Sequence, residues 1–376
     1  MSLTPHLYRQ QAPSDLTPGV VESVLKLELD QKSLGVHSIY TLRHLSHLTE
    51  VGHGYLREIV QRTADGYSVY DIKKRDGTSR SIAAPDDQLQ TVQRWLLDNV
   101  YSKMANHSSS YAYQKGVSVT SCAAAHIGAT WLIHLDLKDF FHQTDERDVY
   151  HLLRRHRYSA LVAFELARIS TRMPSKPQEW LPSKYEELPA RRTLDGVPYA
   201  LHRLGYLPQG APSSGAISNT LAHSMDVELA ELALSRGLAY SRYSDDLTFS
   251  GHADFNRQSA EKSLQLLQRT VVESGYEVNA KKSRIVAPGR SIEILGVLVD
   301  GDRLRVTKRI RKRIEHHLRG IELHGIAAHQ AHEGFHDPIG MMNHIRGVID
   351  YVHDVEPERS IDYYNRFNAI DPRFGL

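Results

Sequence analysis

Leu238-Ala-Tyr-Ser-Arg-Tyr-Ser-Asp-Asp-Leu-Thr-Phe-Ser-Gly251 is the stretch from which the rest of the chain is read. Strand-forming runs, Leu238-Ala239-Tyr240 and Leu247-Thr248-Phe249, flank Tyr243-Ser244-Asp245-Asp246, so the pattern is strand, acidic turn, strand. A tight hairpin would present Asp245 and Asp246 together, where their like charges repel. A divalent cation relieves that repulsion, and oxygen ligands without His or Cys suit magnesium or manganese rather than zinc. Upstream, Trp131-Leu-Ile-His-Leu-Asp136 ends a second apolar run in a carboxylate, which burial would penalise by several kcal/mol unless it is paired or metal-bound. Either motif alone reads more readily as a polar turn or a helix cap. Together they place an acid at the end of two hydrophobic strands.

Two divalent ions roughly 4 Å apart can activate a hydroxyl, stabilise a leaving pyrophosphate and organise an in-line displacement. The rest of the composition neither adds to this chemistry nor opposes it. With 376 residues, 41% of them hydrophobic, the chain can bury a core of two or three subdomains. No apolar run approaches the roughly 18 residues of a membrane span. The polar start, Met1 to Pro13, has no basic segment followed by an apolar run, and Cys122 is the single cysteine. A cytoplasmic protein without a membrane partner is expected. Net charge is only +2, so nucleic-acid binding has to rest on local clusters. One runs from Arg303 to Arg319 through Arg305, Lys308, Arg309, Arg311, Lys312 and Arg313, with Glu315 as its acidic interruption.

Along the chain, Thr17-Pro18 marks a helix start, and the first sixty residues read helical. Tyr67–Ile72 and Arg80–Ala83 form a basic hairpin around Arg75-Asp76-Gly77-Thr78. Helical spacing covers Leu89–Tyr101, Asp148–Thr171, Ser218–Arg236, Phe255–Ser274 and most residues beyond Thr307. Glu277–Ile285 and Ile292–Val299 read as strands, and Met173–Leu204 as an insertion or long loop. His329, His332, His336 and Asp337 match no zinc spacing and read as a polar loop.

Tyr243-Ser-Asp-Asp246 resembles the Tyr-x-Asp-Asp signature of reverse transcriptases, and Asp136-Leu-Lys-Asp-Phe-Phe141 resembles their first acidic motif. Leu207-Pro-Gln-Gly-Ala-Pro-Ser-Ser-Gly-Ala-Ile-Ser-Asn219 lies between them and is similar to the family's template and nucleotide loop, with Gly215 where a proline is usual. Lys73–Pro85 is similar to the fingers hairpin, and Asn279-Ala-Lys-Lys-Ser283 and Leu295-Gly296-Val297 to the later palm motifs. Arg242–Ser250, His344–Tyr351 and Ser360–Phe367 most resemble the bacterial retron type. Cys122-Ala-Ala-Ala-His126 and Ile294-Leu-Gly296 depart from the usual retron Asn-Ala-x-x-His and Val-Thr-Gly.

The resemblance implies an α+β right-hand polymerase fold: an N-terminal helical region (1–64), fingers and a palm with an antiparallel sheet (65–300), and a helical thumb (301–376). It implies two Mg2+, with Mn2+ as a substitute, held by Asp136, the Leu137 backbone, Asp245 and Asp246. Lys282 would assist the leaving pyrophosphate. Lys73, Lys74 and Arg80 would meet the triphosphate of a dNTP, Gln209, Gly210 and Tyr243 would sit against the nucleotide, and Phe141 would exclude a ribose 2'-hydroxyl by a steric clash. Leu295 and Gly296 would hold the primer strand, and the basic cluster would clasp a duplex. The implied partners are a cognate structured non-coding RNA, its DNA product (msDNA) and an effector protein acting in anti-phage defence. A non-retron defence or intron-derived reverse transcriptase, and an RNA-binding scaffold without catalysis, are the competing readings.

Overall fold

The computed structural model describes residues 17–73, 77, 79–173, 204–252 and 255–370. Lys74, and residues 174–203 of the expected insertion, lie outside the described residues. The chain forms two compact units. One comprises Met1–Ser108, Leu137–Val227 and Ser274–Glu277; the other comprises Ser109–Asp136, Glu228–Glu273 and Val278–Leu376.

The first unit opens with α1 (Pro18–Ser33), α2 (Leu42–Thr49) and α3 (His53–Gln61). Thr17 is extended at the α1 N-cap and Pro18 occupies the first turn, where its missing N–H costs nothing. The hairpin of β1 (Tyr67–Lys73) and β2 (Ser79–Pro85) is antiparallel, pairing Tyr67 with Pro85 and Lys73 with Ser79. Helix α4 (Asp87–Asn99) comes next, N-capped by the Asp86 carboxylate, which accepts from Leu89 N. The chain then supplies α5 (Val119–Ala124) and β3 (Trp131–Asp136) to the second unit before it returns to the first.

The helical stretch read across 148–171 is two helices, α6 (Glu146–Arg155) and α7 (Ala160–Ser170). Periodicity alone runs through the break. Arg157 adopts φ +68°, which no helix continues, and the Ser159 side chain caps α7 by accepting from Val162 N. Helix α8 (Ser214–Leu221) continues into α9 (His223–Ser235), which carries the chain into the second unit. Leu45, Leu56, Ile59, Leu89, Leu96, Leu153 and Ile217 are fully or almost fully buried in the first unit's core.

In the second unit, strands β4 (Ala239–Tyr243), β5 (Asp246–Gly251) and β6 (Arg284–Val286) join β3 in an antiparallel sheet of order β4-β5-β3-β6, with α10 (Arg257–Glu273) between β5 and β6 in the chain. β3 is buried at five of its six positions, which explains its continuous apolar run.

Two strand expectations are corrected. Glu277–Ile285 is not one strand: Asn279 N donates to Asp136 O (2.8 Å) at its start and Arg284 and Ile285 pair with β3 at its end, but Asn279–Ser283 between them folds into a turn in which Lys282 N and Ser283 N both donate to Asn279 O. Ile292–Val299 is a hairpin, β7 (Glu293–Ile294) and β8 (Val297–Leu298), turning at Leu295 (φ +49°) and Gly296 (φ +88°). Two successive positive φ values are the signature of a two-residue hairpin turn, and a non-glycine at the first of them hid it. β9 (Arg305–Val306) joins β8, and the chain ends in α11 (Lys308–His324), α12 (Ile326–Glu333), α13 (Pro338–Val355) and α14 (Pro357–Ile370) around Leu318, Met341, Ile345, Ile349 and Phe367. No described helix is long and apolar enough to cross a membrane.

Candidate active site

Sheet register brings the acids together. Asp136, the last residue of β3, is directly opposite Asp246, the first of β5. Direct partners in an antiparallel pair have Cα atoms only about 4.5–5.5 Å apart. Asp246 also pairs with Tyr243 across the two-residue turn Ser244-Asp245, so Asp245 stands beside the other two acids. Ser244 takes φ +60°, a conformation that a side chain resists. The surroundings hold it there. Arg242, wholly buried, donates from Nη1 to Ser244 O (3.1 Å) and from Nη2 to Ser110 Oγ (3.2 Å), and Tyr113 Oη lies 2.8 Å from Ser244 Oγ.

The electrostatics record crowding of negative charge. Asp136 is 4% exposed. Burial, then Asp245, then Asp136, pushes the Asp246 carboxyl up to about 6. Lys282 Nζ donates to Asp136 Oδ2 at 2.7 Å. Partial burial opposes the Lys282 charge, but its hydrogen bond to Asp136 and the fields of the three acids outweigh that and raise its pKa. His134 Nε2 lies 3.3 Å from Asp246 Oδ1. Burial and Arg284 push His134 down to about 4, so at neutral pH this contact is not an ion pair. Three carboxylates with one directly bonded ammonium form a hard, oxygen-rich donor set that fits a divalent cation of the magnesium type. Leu137, whose backbone is the further candidate ligand, follows Asp136 and is buried.

Behind the hairpin lies a polar cluster that sequence reading did not assemble. His126 contacts Ser250 Oγ through Nδ1 and Ser241 Oγ through Nε2, each at 2.7 Å, and the Cys122 thiol donates to the same Ser241 Oγ (3.3 Å). Cys122 and His126 therefore brace β4 and β5 from within. The four-residue spacing in Cys122-Ala-Ala-Ala-His126 was the visible signal.

The remaining candidates fall in separate places. In the first unit, Lys73 and Arg80 are exposed on β1 and β2, and Gln209 O accepts from Ala83 N of β2 at 2.8 Å. Gly210 takes φ +119° against the same strand. Phe141 is half-buried beside Phe140, ring centroids 5.7 Å apart. In the second unit, Tyr243 ends β4, and Gly296 O accepts from Tyr351 Oη (3.2 Å) at the Leu295-Gly296 turn. Lys308, Arg309, Lys312 and Arg313 are exposed along one face of α11, while Arg311 is half-buried. Arg305 lies on β9 and is tied to Asp300 (2.6 Å).

Known proteins are similar to this chain. The model of the reverse transcriptase (RNA-dependent DNA polymerase) family matches residues 72–299. Retron Mx162 reverse transcriptase of Myxococcus xanthus is 31% identical over 245 residues, 63% of this chain and 48% of that protein. Retron Ec86 reverse transcriptase of Escherichia coli is 23% identical over 346 residues, 92% of this chain and 93% of its own length. Retron Mx65 reverse transcriptase of Myxococcus xanthus is 30% identical over 304 residues, covering 78% and 62%. The chain thus spans about half of the Mx162 protein and nearly all of the Ec86 protein. Among solved structures, telomerase from Candida albicans in complex with a fragment of telomeric RNA aligns over 88% of this chain and 60% of that one, at 12% identity and a TM-score of 0.41, an overlap too small to bear on function.

Proposed function

Because the chain belongs to the reverse transcriptase family, with retron-type enzymes as its relatives, we propose that it synthesises DNA on a structured non-coding RNA by two-metal nucleotidyl transfer. The observation that carries this reading is the pairing of Asp136 with Asp246 at adjoining strand ends, with Asp245 in the turn and Lys282 on Asp136.

Asp136, Asp245, Asp246 and the Leu137 carbonyl would hold the ions, which when bound supply Lewis-acid activation of the attacking 3'-hydroxyl and neutralisation of the triphosphate. Lys282, charged at neutral pH, is the proton donor and electrostatic partner for departing pyrophosphate. Lys73, Lys74 and Arg80 of the hairpin bind the phosphates, Arg80 in two-pronged fashion. Gln209, Gly210 and Tyr243 line the nucleotide, and Phe141 rejects the 2'-hydroxyl. Leu295 and Gly296 hold the primer. Lys308, Arg309, Arg311, Lys312, Arg313 and Arg305 meet nucleic-acid phosphates from the thumb. Residues 1–64, 65–300 and 301–376 serve as helical extension, fingers with palm, and thumb.

The product would be a hybrid of the template RNA and its DNA copy (msDNA), acting with an effector protein in defence against phage. Primer extension on an RNA template with labelled dNTPs tests the catalysis: an active parent beside an inactive Asp245→Ala supports it, and equal inactivity rejects it. Sequencing of copurified nucleic acid tests the retron assignment, for which a branched RNA–DNA molecule is expected.

A further inference from the structure

Helices α11 and α12 meet through imidazoles. His317 and His329 are 5% and 4% exposed, and His317 Nδ1 lies 3.0 Å from His329 Nε2. His316 Nε2 contacts Glu333 Oε1 at 2.9 Å, and His332 Nδ1 contacts the same oxygen at 3.1 Å. One ligand atom from each of His316, His329 and Glu333 falls within 4.8 Å of the others. His329 and Glu333 are one turn apart on one face of α12, and His316 comes from α11.

The seat for His329 is cut into the backbone. A Cβ at Gly320 would collide with the His329 ring, so the bare glycine is what lets the imidazole lie against α11. A pocket of about 470 Å3 opens beside the cluster, lined by His316, Arg319, Gly320, His329 and His332 among others, and leaves room for a further ligand or water.

We propose that His316, His329 and Glu333 bind a zinc-class divalent ion that staples α12 to α11, the helix bearing the basic stripe. Two imidazoles and one carboxylate suit Zn2+ and its neighbours Co2+ and Ni2+ over Mg2+ or Ca2+, which prefer all-oxygen shells. His317 packs on His329 and orients it. The site is separate from the all-carboxylate cluster and shares no residue with it.

The test uses the full chain, stripped with EDTA and returned to buffer with millimolar Mg2+ so that the carboxylate cluster is saturated. Zn2+ is then titrated by calorimetry, and Co2+ by the visible absorption of its tetrahedral nitrogen–oxygen complexes. One equivalent is expected to bind and to raise the thermal midpoint of the parent. Affinity should fall at least about tenfold in His316→Ala and in Glu333→Gln, while both variants melt with the stripped parent. These two are preferred to His329→Ala, which opens a buried position. The proposal is overturned if the parent takes up no Zn2+ in the presence of Mg2+, or if both variants bind as the parent does. It is equally overturned if binding survives in them and disappears in a His332→Ala/His336→Ala double variant, since the ion would then sit on exposed histidines.

Discussion

Gly210→Ala separates a working nucleotide loop from an ordinary Pro-Gly turn. A Cβ at this position would lie 2.8 Å from the Ala83 carbonyl oxygen and 2.9 Å from Ile82 Cγ2. The oxygen cannot swing aside, because it belongs to β2, whose Ala83 N donates to Gln209 O at 2.8 Å. The backbone is also at φ +119°, which L-residues rarely adopt. Strain of this kind costs about 1–3 kcal/mol, and overpacking against fixed backbone about the same again. If the loop stays on β2, the loss falls on stability, at about 2–4 °C in thermal midpoint per kcal/mol for a unit of about 200 residues. If the loop lifts off β2, Gln209 moves with it and the loss falls on catalysis, where 2 kcal/mol is about thirtyfold in kcat/KM for dNTP. Single-nucleotide extension on RNA and thermal denaturation together capture both routes. A variant with parental kcat/KM to within about twofold and a thermal midpoint within about 1 °C would refute the close-approach reasoning.

Phe141→Ala should relax discrimination against rNTPs by about 10–100-fold in relative kcat/KM; unchanged selectivity would return Phe141 to the core beside Phe140. Lys282→Met should lower kcat about 100–10,000-fold with little change in the KM for dNTP, and a pure KM effect measured under steady-state conditions would argue against its part in pyrophosphate departure. Arg309→Gln with Lys312→Gln should reduce the log–log salt slope of RNA binding by about two, a prediction that fails if titrations from low to high salt run parallel to the parent. Burial pushes His126 down to about 4, so the unfolded chain takes up a proton below about 6.5 that the folded chain refuses until near 4. Stability is therefore lost as pH falls between those values, by up to about 1.4 kcal/mol per pH unit for each such histidine. His134 and His142 are lowered in the same way. Urea midpoints across this range should show a shallower acid slope in His126→Gln, and an unchanged slope would contradict the buried Ser241–His126–Ser250 arrangement.

The acid-bearing strands were legible because two strong signals coincided: a continuous apolar run, required when both faces of β3 are covered, and a carboxylate at its end. The helix start at Thr17-Pro18 and the hairpin at 67–85 were legible for similar local reasons. What escaped was set by backbone conformations that residue type does not advertise. Leu295 and Arg157 adopt left-handed geometry without being glycine, so a hairpin read as one strand and two helices read as one. Contacts between distant segments escaped as well. His329 and His332 read as loop because ligand spacing was sought within one segment, whereas His316 arrives from the preceding helix and Gly320 makes the room. The enclosure of Arg242 behind the acidic turn was equally invisible, since a charged residue in an alternating strand ordinarily points to water.

The pairing of Asp136 with Asp246 makes parity a condition of activity. Strand side chains alternate, so a single inserted residue in β3 or β5 would send its carboxylate to the opposite surface of the sheet, even if the ladder re-formed. A loop between the elements that connect Asp136 to Asp245 obeys no such rule, because lengthening a closed loop costs only logarithmically. Length variation is thus cheap in the loops between those elements and forbidden within the two strands that carry the acids.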